Sequence, residues 1–491
     1  MKSKHIPTLV RYSIIGIPIM VVLWNCGGKT ETDTPPVNTI PVSWNMPVEV
    51  SSNSQVDFAV FGWESFIALN WPADTSYRGK PDTSMKIGTG SPVVWETFRL
   101  KEETFYSDAA INPGPWNASA INGQPRRSFA HKSMFRVTKD FDSIPQDAQG
   151  GEFNEAAVNV PLIDQDSDYV MFEIAINESE YTYIVDHDYY NGNVQMREVH
   201  DSSFVNPPKG DTLVQQQGDS LYYQMAPSMA GLPAFAQYGA TEVKTSWRVL
   251  PATMPADQVA RYYHRTSVIA QPGGGYVTAV VGLVGLHILR LTAFTHNTWY
   301  WASFEQVDNV TVSDTAGFTP SFNPGGDTSY TNGYCYGSTC GSTKPATITD
   351  SLPANPTPVR VSRYGTIPAY IDSLNDVYQG YLAGTVWEFY QMVGVVNQET
   401  GSGSQYPMFP SSPTVYLNVG QMANTTMETY VQNGTNCVTC HAFGTPQFYK
   451  GNSADSLYAL AEYQIFTFLL GDAATTGASE AIKRKKLQVP K

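Results

Sequence analysis

Apolar side chains recur at three-to-four spacing near the start of the chain, at Phe58, Phe61, Phe66, Ile67 and Leu69, and Pro72 ends the run. That rhythm predicts an amphipathic helix. The pattern then changes to short runs of β-branched and aromatic residues, at 169–176 (YVMFEIAI), 182–185 and 242–250 (EVKTSWRVL), which predict strands. Residues 276–291 are the most apolar stretch after the N-terminus; their Val, Gly and Leu content predicts a buried strand bent at Gly282 and Gly285. An antiparallel neighbour follows at 299–307 (WYWASFEQV), with 295–298 in the turn. Residues 311–360 are dominated by Gly, Ser, Thr, Asn and Pro, as in a functional loop or a linker. Beyond residue 365 the three-to-four spacing returns at 367–382, 385–395, 418–432 and 454–470, predicting helices.

These periods together predict an α+β fold, with a sheet-rich body over residues 46–345 and a helical C-terminal region over 346–491. The N-terminus reads differently. Lys2, Lys4 and Arg11 precede an apolar run at 13–24 that has the length of a signal core and is short for a membrane span. Residues 1–25 are therefore expected to be a signal peptide. Cys26 follows at once, in the manner of a bacterial lipoprotein signal, with the cysteine lipidated; Trp24 and Asn25 depart from the small residues usual there, so plain signal cleavage stays open. Residues 26–45 are polar and contain prolines, as in a tether. The expected location is the periplasm or outer membrane, with contact to the membrane only through that N-terminal lipid.

Composition narrows the partners. The formal charge is −14 and only 15% of residues are charged, so no basic surface for nucleic acid is expected. The basic run Lys483, Arg484, Lys485 and Lys486 reads either as a solvated tail or as a docking patch for an acidic redox protein.

Five cysteines carry the chemistry. Cys335 and Cys340 stand in a Gly/Ser-rich loop, near enough to form a disulfide in an oxidising compartment, or to remain two loop thiols. Cys437-Val438-Thr439-Cys440-His441 has the spacing of covalent haem c attachment. The two thiols add to the haem vinyl groups, and the histidine that follows supplies the proximal iron ligand. A thioredoxin-like redox pair, half of a zinc site and a structural cysteine pair are the rival readings.

No methionine and no histidine follows His441, so a distal iron ligand has to come from upstream or be absent. His287 in the apolar strand, and Met427 or Met422 before the motif, are the candidates; each reads equally as core packing. Glu305 and Asp308, at the end of the 299–307 strand, would either hold the turn or serve a proton or cation near the haem.

Several pieces resemble, in order, a group of exported bacterial proteins without assigned activity that is placed with the cytochrome c family. They are FGWESFIALNWP (61–72), VVWETF (93–98), PLIDQ (161–165), YTYIV (181–185), EVKTSWRVL (242–250), GLVGLHILR (282–290), WASFEQVDN (301–309) and ANTTMETYVQ (423–432) leading into NCVTCH. Gln306 departs from the histidine often found there, whereas His287 matches the GLHI piece. The resemblance implies haem binding and electron transfer outside the cytoplasm. The expected function is single-electron transfer by a periplasm-facing monohaem cytochrome with a redox protein partner. The alternative is a peroxidase- or oxygenase-like haem enzyme, whose large body would shape a substrate pocket.

Overall fold

The computed structural model describes residues 42–52, 54–106, 108–118, 120–121, 124–125, 133–135, 156, 160–195, 231–270, 276–292, 298–311, 318–324, 334–336, 343–346, 353, 355–397, 423–432, 437, 441 and 468–475. The expected signal peptide, Cys26, Cys340, Met422, Cys440 and the basic run at 483–486 lie outside the described residues.

One sheet dominates. Its eight strands are β1 Arg99–Leu100, β2 Ser133–Phe135, β3 Met171–Ile176, β4 Thr241–Val249, β5 His264–Ala270, β6 Tyr276–Thr292, β7 Thr298–Gln306 and β8 Tyr390–Asn397. They run in the order β1-β3-β4-β6-β5-β2, and all neighbours are antiparallel except β2 with β5. Strand β6 has 17 residues and serves two partners along one edge. Its first half pairs with β5 as far as Gly282, and its second half pairs with β7 from Gly285 onward. Strand β8 then extends the sheet beyond β7.

The bend expected at Gly282 and Gly285 is a β-bulge. Ser246 and Trp247 of β4 face Gly285 and Leu283, so Val284 has no opposite number. Its carbonyl accepts instead from Asn309 Nδ2 at 2.7 Å, which spares a buried acceptor the cost of going unpaired.

Helices cover one face. Helix α1, Gln55–Leu69, starts at Ser54, whose hydroxyl accepts from the Asp57 N–H at 3.0 Å, and stops at Asn70, whose Nδ2 returns to the Phe66 carbonyl at 2.8 Å. Trp63 and Phe66 pack on Phe304 of β7, and Trp63 stacks at 5.1 Å on Tyr378 of a later helix, Ala369–Tyr381. Gly62 lets α1 sit this close: a Cβ there would come within 2.8 Å of the Met392 methyl and 3.1 Å of Ala302 Cβ.

The architecture is α+β, with a correction to the C-terminal part. The span 385–395 was expected to be helical; it is one 3₁₀ turn, Val386–Phe389, followed by strand β8, so the chain beyond residue 345 contributes to the sheet. The described part of 418–432 is a series of turns, and that of 454–470 ends in the 3₁₀ turn Leu469–Asp472. Conversely 182–185, expected as a strand, lies in helix α2, Glu178–Asp186. Among the described residues no helix is long and apolar enough to cross a membrane.

Candidate haem-attachment site

Alternation along β7 decides what faces the motif. Tyr300, Ala302 and Phe304 point to α1, so Trp301, Ser303 and Glu305 point to the opposite face. Residues 423–432 lie on that second face and lead towards Cys437 and His441.

Short polar side chains fix this approach segment. Asn424 Nδ2 donates to Ser303 Oγ at 3.2 Å and to the Phe304 carbonyl at 2.9 Å. Its Oδ1 accepts from the Thr426 N–H at 3.0 Å and the Thr426 hydroxyl at 2.7 Å, which closes an Asx turn. Thr426 Oγ1 is also 2.7 Å from Ser246 Oγ of β4. Glu305 accepts the Thr425 N–H at 2.5 Å and forms an ion pair with Arg363, which donates in turn to the Ala423 carbonyl at 3.3 Å. At the far end Gln432 accepts the Tyr364 N–H at 2.9 Å and donates to the Ser362 carbonyl at 3.1 Å. The Thr425 hydroxyl is buried without a hydrogen-bond partner, but the Asn424, Thr426 and Gln432 bonds set the segment's register against the sheet.

Glu305 therefore anchors the approach to the motif. Asp308 is held by Arg261 through two bonds of 2.6 and 2.8 Å, and it keeps the turn after β7.

His287 lies on the same face as Ser303, its cross-strand partner, and is 4% exposed. Its Nε2 stands 3.4 Å from Glu428 Oε2, at ion-pair reach but not aligned as a hydrogen bond. Burial alone would push the Glu428 carboxyl up. The His287 imidazole, the Asn424 N–H at 2.8 Å and Lys244 more than offset it, and the carboxyl is held below its ordinary value. Met427 is buried in the hydrophobic core.

Of the motif itself, Cys437 and His441 are described, and each has helical backbone. Cys437 is buried and forms no disulfide. The His441 ring packs edge-on against Trp301 at 5.5 Å and at a tilt against Phe468 at 5.2 Å; Phe468 remains 50% exposed. Trp301 is 1% exposed, yet its indole nitrogen has no hydrogen-bond partner. A buried thiol and an imidazole four positions apart, the imidazole set against aromatic rings and an unsatisfied donor, fit the edge of a large planar group that carries acceptor atoms. Among the described residues no cluster of three or more metal-binding side chains occurs, and one histidine with two thiols is what a haem needs from the protein.

Cys335 is disulfide-bonded; Cys340, the partner expected from spacing, lies outside the described residues. Sequence reasoning missed Trp301, Arg363 and Glu428. Trp301 carried a usable signal, because alternation places it on the face opposite Tyr300 and Ala302.

No protein-family model, curated protein or solved structure matches the chain.

Proposed function

We propose that this chain is an exported c-type cytochrome carrying one covalent haem and passing single electrons to or from a redox protein partner. The reading is carried by the spacing of Cys437, Cys440 and His441, and supported by the packing of the His441 ring on buried Trp301 and by the bonding of residues 423–432 to the sheet. Cys437 and Cys440 would hold the haem and His441 would ligate its iron. The haem supplies a reversible one-electron couple. The protein's part is to fix the imidazole, to exclude water with Trp301, and to set the local charge through Glu428 and His287.

His287 is the preferred distal ligand and Met427 the second candidate. Metal-ligating histidines commonly present their other ring nitrogen to a carboxylate. Glu428 stands in that place for His287, leaving Nδ1 for the iron. The same His287–Glu428 pair is the observation that favours the second reading, a haem enzyme of peroxidase or oxygenase type, because an imidazole beside a carboxylate can relay a proton. Lipidation of Cys26 would tether the protein to a periplasm-facing membrane.

The reading is tested by expressing the protein in a bacterial host with cytochrome c maturation and staining a denaturing gel for haem. The stain is expected on the full-length band and absent from the Cys437→Ala, Cys440→Ala double variant. A band that still stains in the double variant, or a wild type that never stains, overturns it.

A further inference from the structure

Trp301 is a buried donor with nothing to donate to. Its ring is 1% exposed on the inner face of β7, and no acceptor lies within hydrogen-bond reach of Nε1. Its cross-strand neighbours Leu289 and Val396 are apolar and offer no side-chain acceptor. A buried N–H left in this state costs about 1–3 kcal/mol, and native structures rarely leave one without a reason. The ring beside it is that of His441, the residue the attachment motif places under the iron.

We propose that the Trp301 indole N–H donates to a carboxylate side chain of the haem, making Trp301 a positioning residue for the cofactor. The proposal rests on the haem reading above and adds to it a specific contact. Haem brings two ionised propionates to its site, and a carboxylate is the strongest acceptor a lone N–H can meet. The rest of the pocket supports that assignment. Phe468 on the other side of the His441 ring carries no donor, and Glu428 is already engaged by His287, Lys244 and the Asn424 N–H. Arg363, paired with Glu305 of β7, is engaged by that carboxylate and the Ala423 carbonyl. Trp301 is then the donor that fixes one propionate, and its N–H partly neutralises that carboxylate.

The consequence is electrostatic. Withdrawing the donor concentrates negative charge beside the iron and favours the ferric state. Trp301→Phe keeps a ring against His441 and removes only the N–H and one ring of the indole. The variant is expected to retain the haem stain and to shift the ferric-to-ferrous ratio at fixed applied potential about tenfold towards ferric, roughly 59 mV for a one-electron couple. A second measurement needs no variant. The sequence has ten tryptophans, of which Trp24 falls in the expected signal peptide, so a ¹H–¹⁵N spectrum of the mature holoprotein shows nine indole signals. One of them should sit at low field as a hydrogen-bonded donor, move sharply between ferric and ferrous protein, and vanish in Trp301→Phe. A stained Trp301→Phe protein with an unchanged potential overturns the proposal while leaving covalent haem intact. So does a wild-type spectrum in which no indole signal answers to the iron's oxidation state. Loss of stain from the wild type itself would instead remove the underlying haem reading.

Discussion

Glu428 Oε2 sits between His287 Nε2, 3.4 Å away on strand β6, and the Asn424 N–H, 2.8 Å away at the start of its own turn. One carboxylate thus ties the segment that leads to Cys437 both to itself and to the sheet. The pairing spans 141 positions in the chain, from 287 to 428. It makes the charge state of one side chain a condition for seating the motif.

The sign of the resulting pH effect follows from the lowered Glu428 pKa. A carboxyl whose folded value lies below its unfolded one contributes stability in full above the unfolded value, and loses it as pH falls through the folded one. Urea midpoints should therefore fall on acidification from pH 5 to pH 3, and Glu428→Gln should be less stable than wild type at pH 7 by about 1 kcal/mol. The gap between the two proteins should close as the pH falls to 3. A constant gap across that range would show that Glu428 acts through packing and not through charge.

Glu305 is more costly to lose. Its carboxylate is buried with Arg363 and also accepts the Thr425 N–H, so Glu305→Gln leaves a half-buried guanidinium without its counterion. Breaking one side of such a pair costs about 3 kcal/mol. Limited proteolysis should cut first within 423–432 in this variant, and chemical denaturation should register the loss. Resistance equal to wild type would mean that the Asn424 and Gln432 bonds hold the segment alone.

These contacts explain what the sequence could and could not reveal. Strands β4, β6 and β7 were legible because Val, Ile, Trp and Tyr dominate them, and α1 because its apolar spacing is helical. The 182–185 run misled through its Tyr, Ile and Val content, although Asn177 and the acidic first turn Glu178 and Glu180 are helix-start signals. Strand β8 misled in the opposite direction: its burial on both faces leaves an unbroken apolar run, which periodicity cannot tell from a helix. In 423–432 the run of Asn424, Thr425, Thr426 and Thr429 should have argued against a helix, since short polar side chains bond locally to the backbone. The Cys437, Cys440 and His441 spacing is local, so the sequence alone suffices to raise the haem proposal. The pairings of Glu305 with Arg363 and of Glu428 with His287 were not legible, since they join residues far apart in sequence through the sheet's register.

The distal side is open to a direct spectroscopic test. With His287 as sixth ligand, the wild type should be low-spin, and His287→Ala should turn high-spin and bind carbon monoxide. Met427 in that role instead requires a weak red ferric band in the wild type that Met427→Ala abolishes. Carbon monoxide binding to the unmutated protein would favour the haem-enzyme reading over electron transfer.

Export has its own measurement. A radiolabelled lipid precursor should mark the wild type and spare Cys26→Ser, which should then fractionate with soluble periplasmic protein. An unmarked wild type would leave plain cleavage as the account of residues 1–26.

The sheet and the motif's leading segment meet tightly over Gly285. A Cβ at this position would come 2.5 Å from Ser246 Oγ and Thr426 Oγ1, and 3.1 Å from Asn424 Oδ1. Neither hydroxyl can retreat freely, because the two are bonded to each other and Thr426 also serves Asn424. Gly285→Ala should accordingly destabilise the protein by about 1–3 kcal/mol through overpacking. Since the damage falls on the Asx turn and not on the strand, haem attachment should drop more than secondary structure does. Haem content per polypeptide, measured beside far-ultraviolet circular dichroism, separates the two. Combining the change with Ser246→Ala removes one of the clashing oxygens and should restore part of the haem. A Gly285→Ala protein with full haem content would show that the segment can lift from the sheet without disturbing Cys437 and His441.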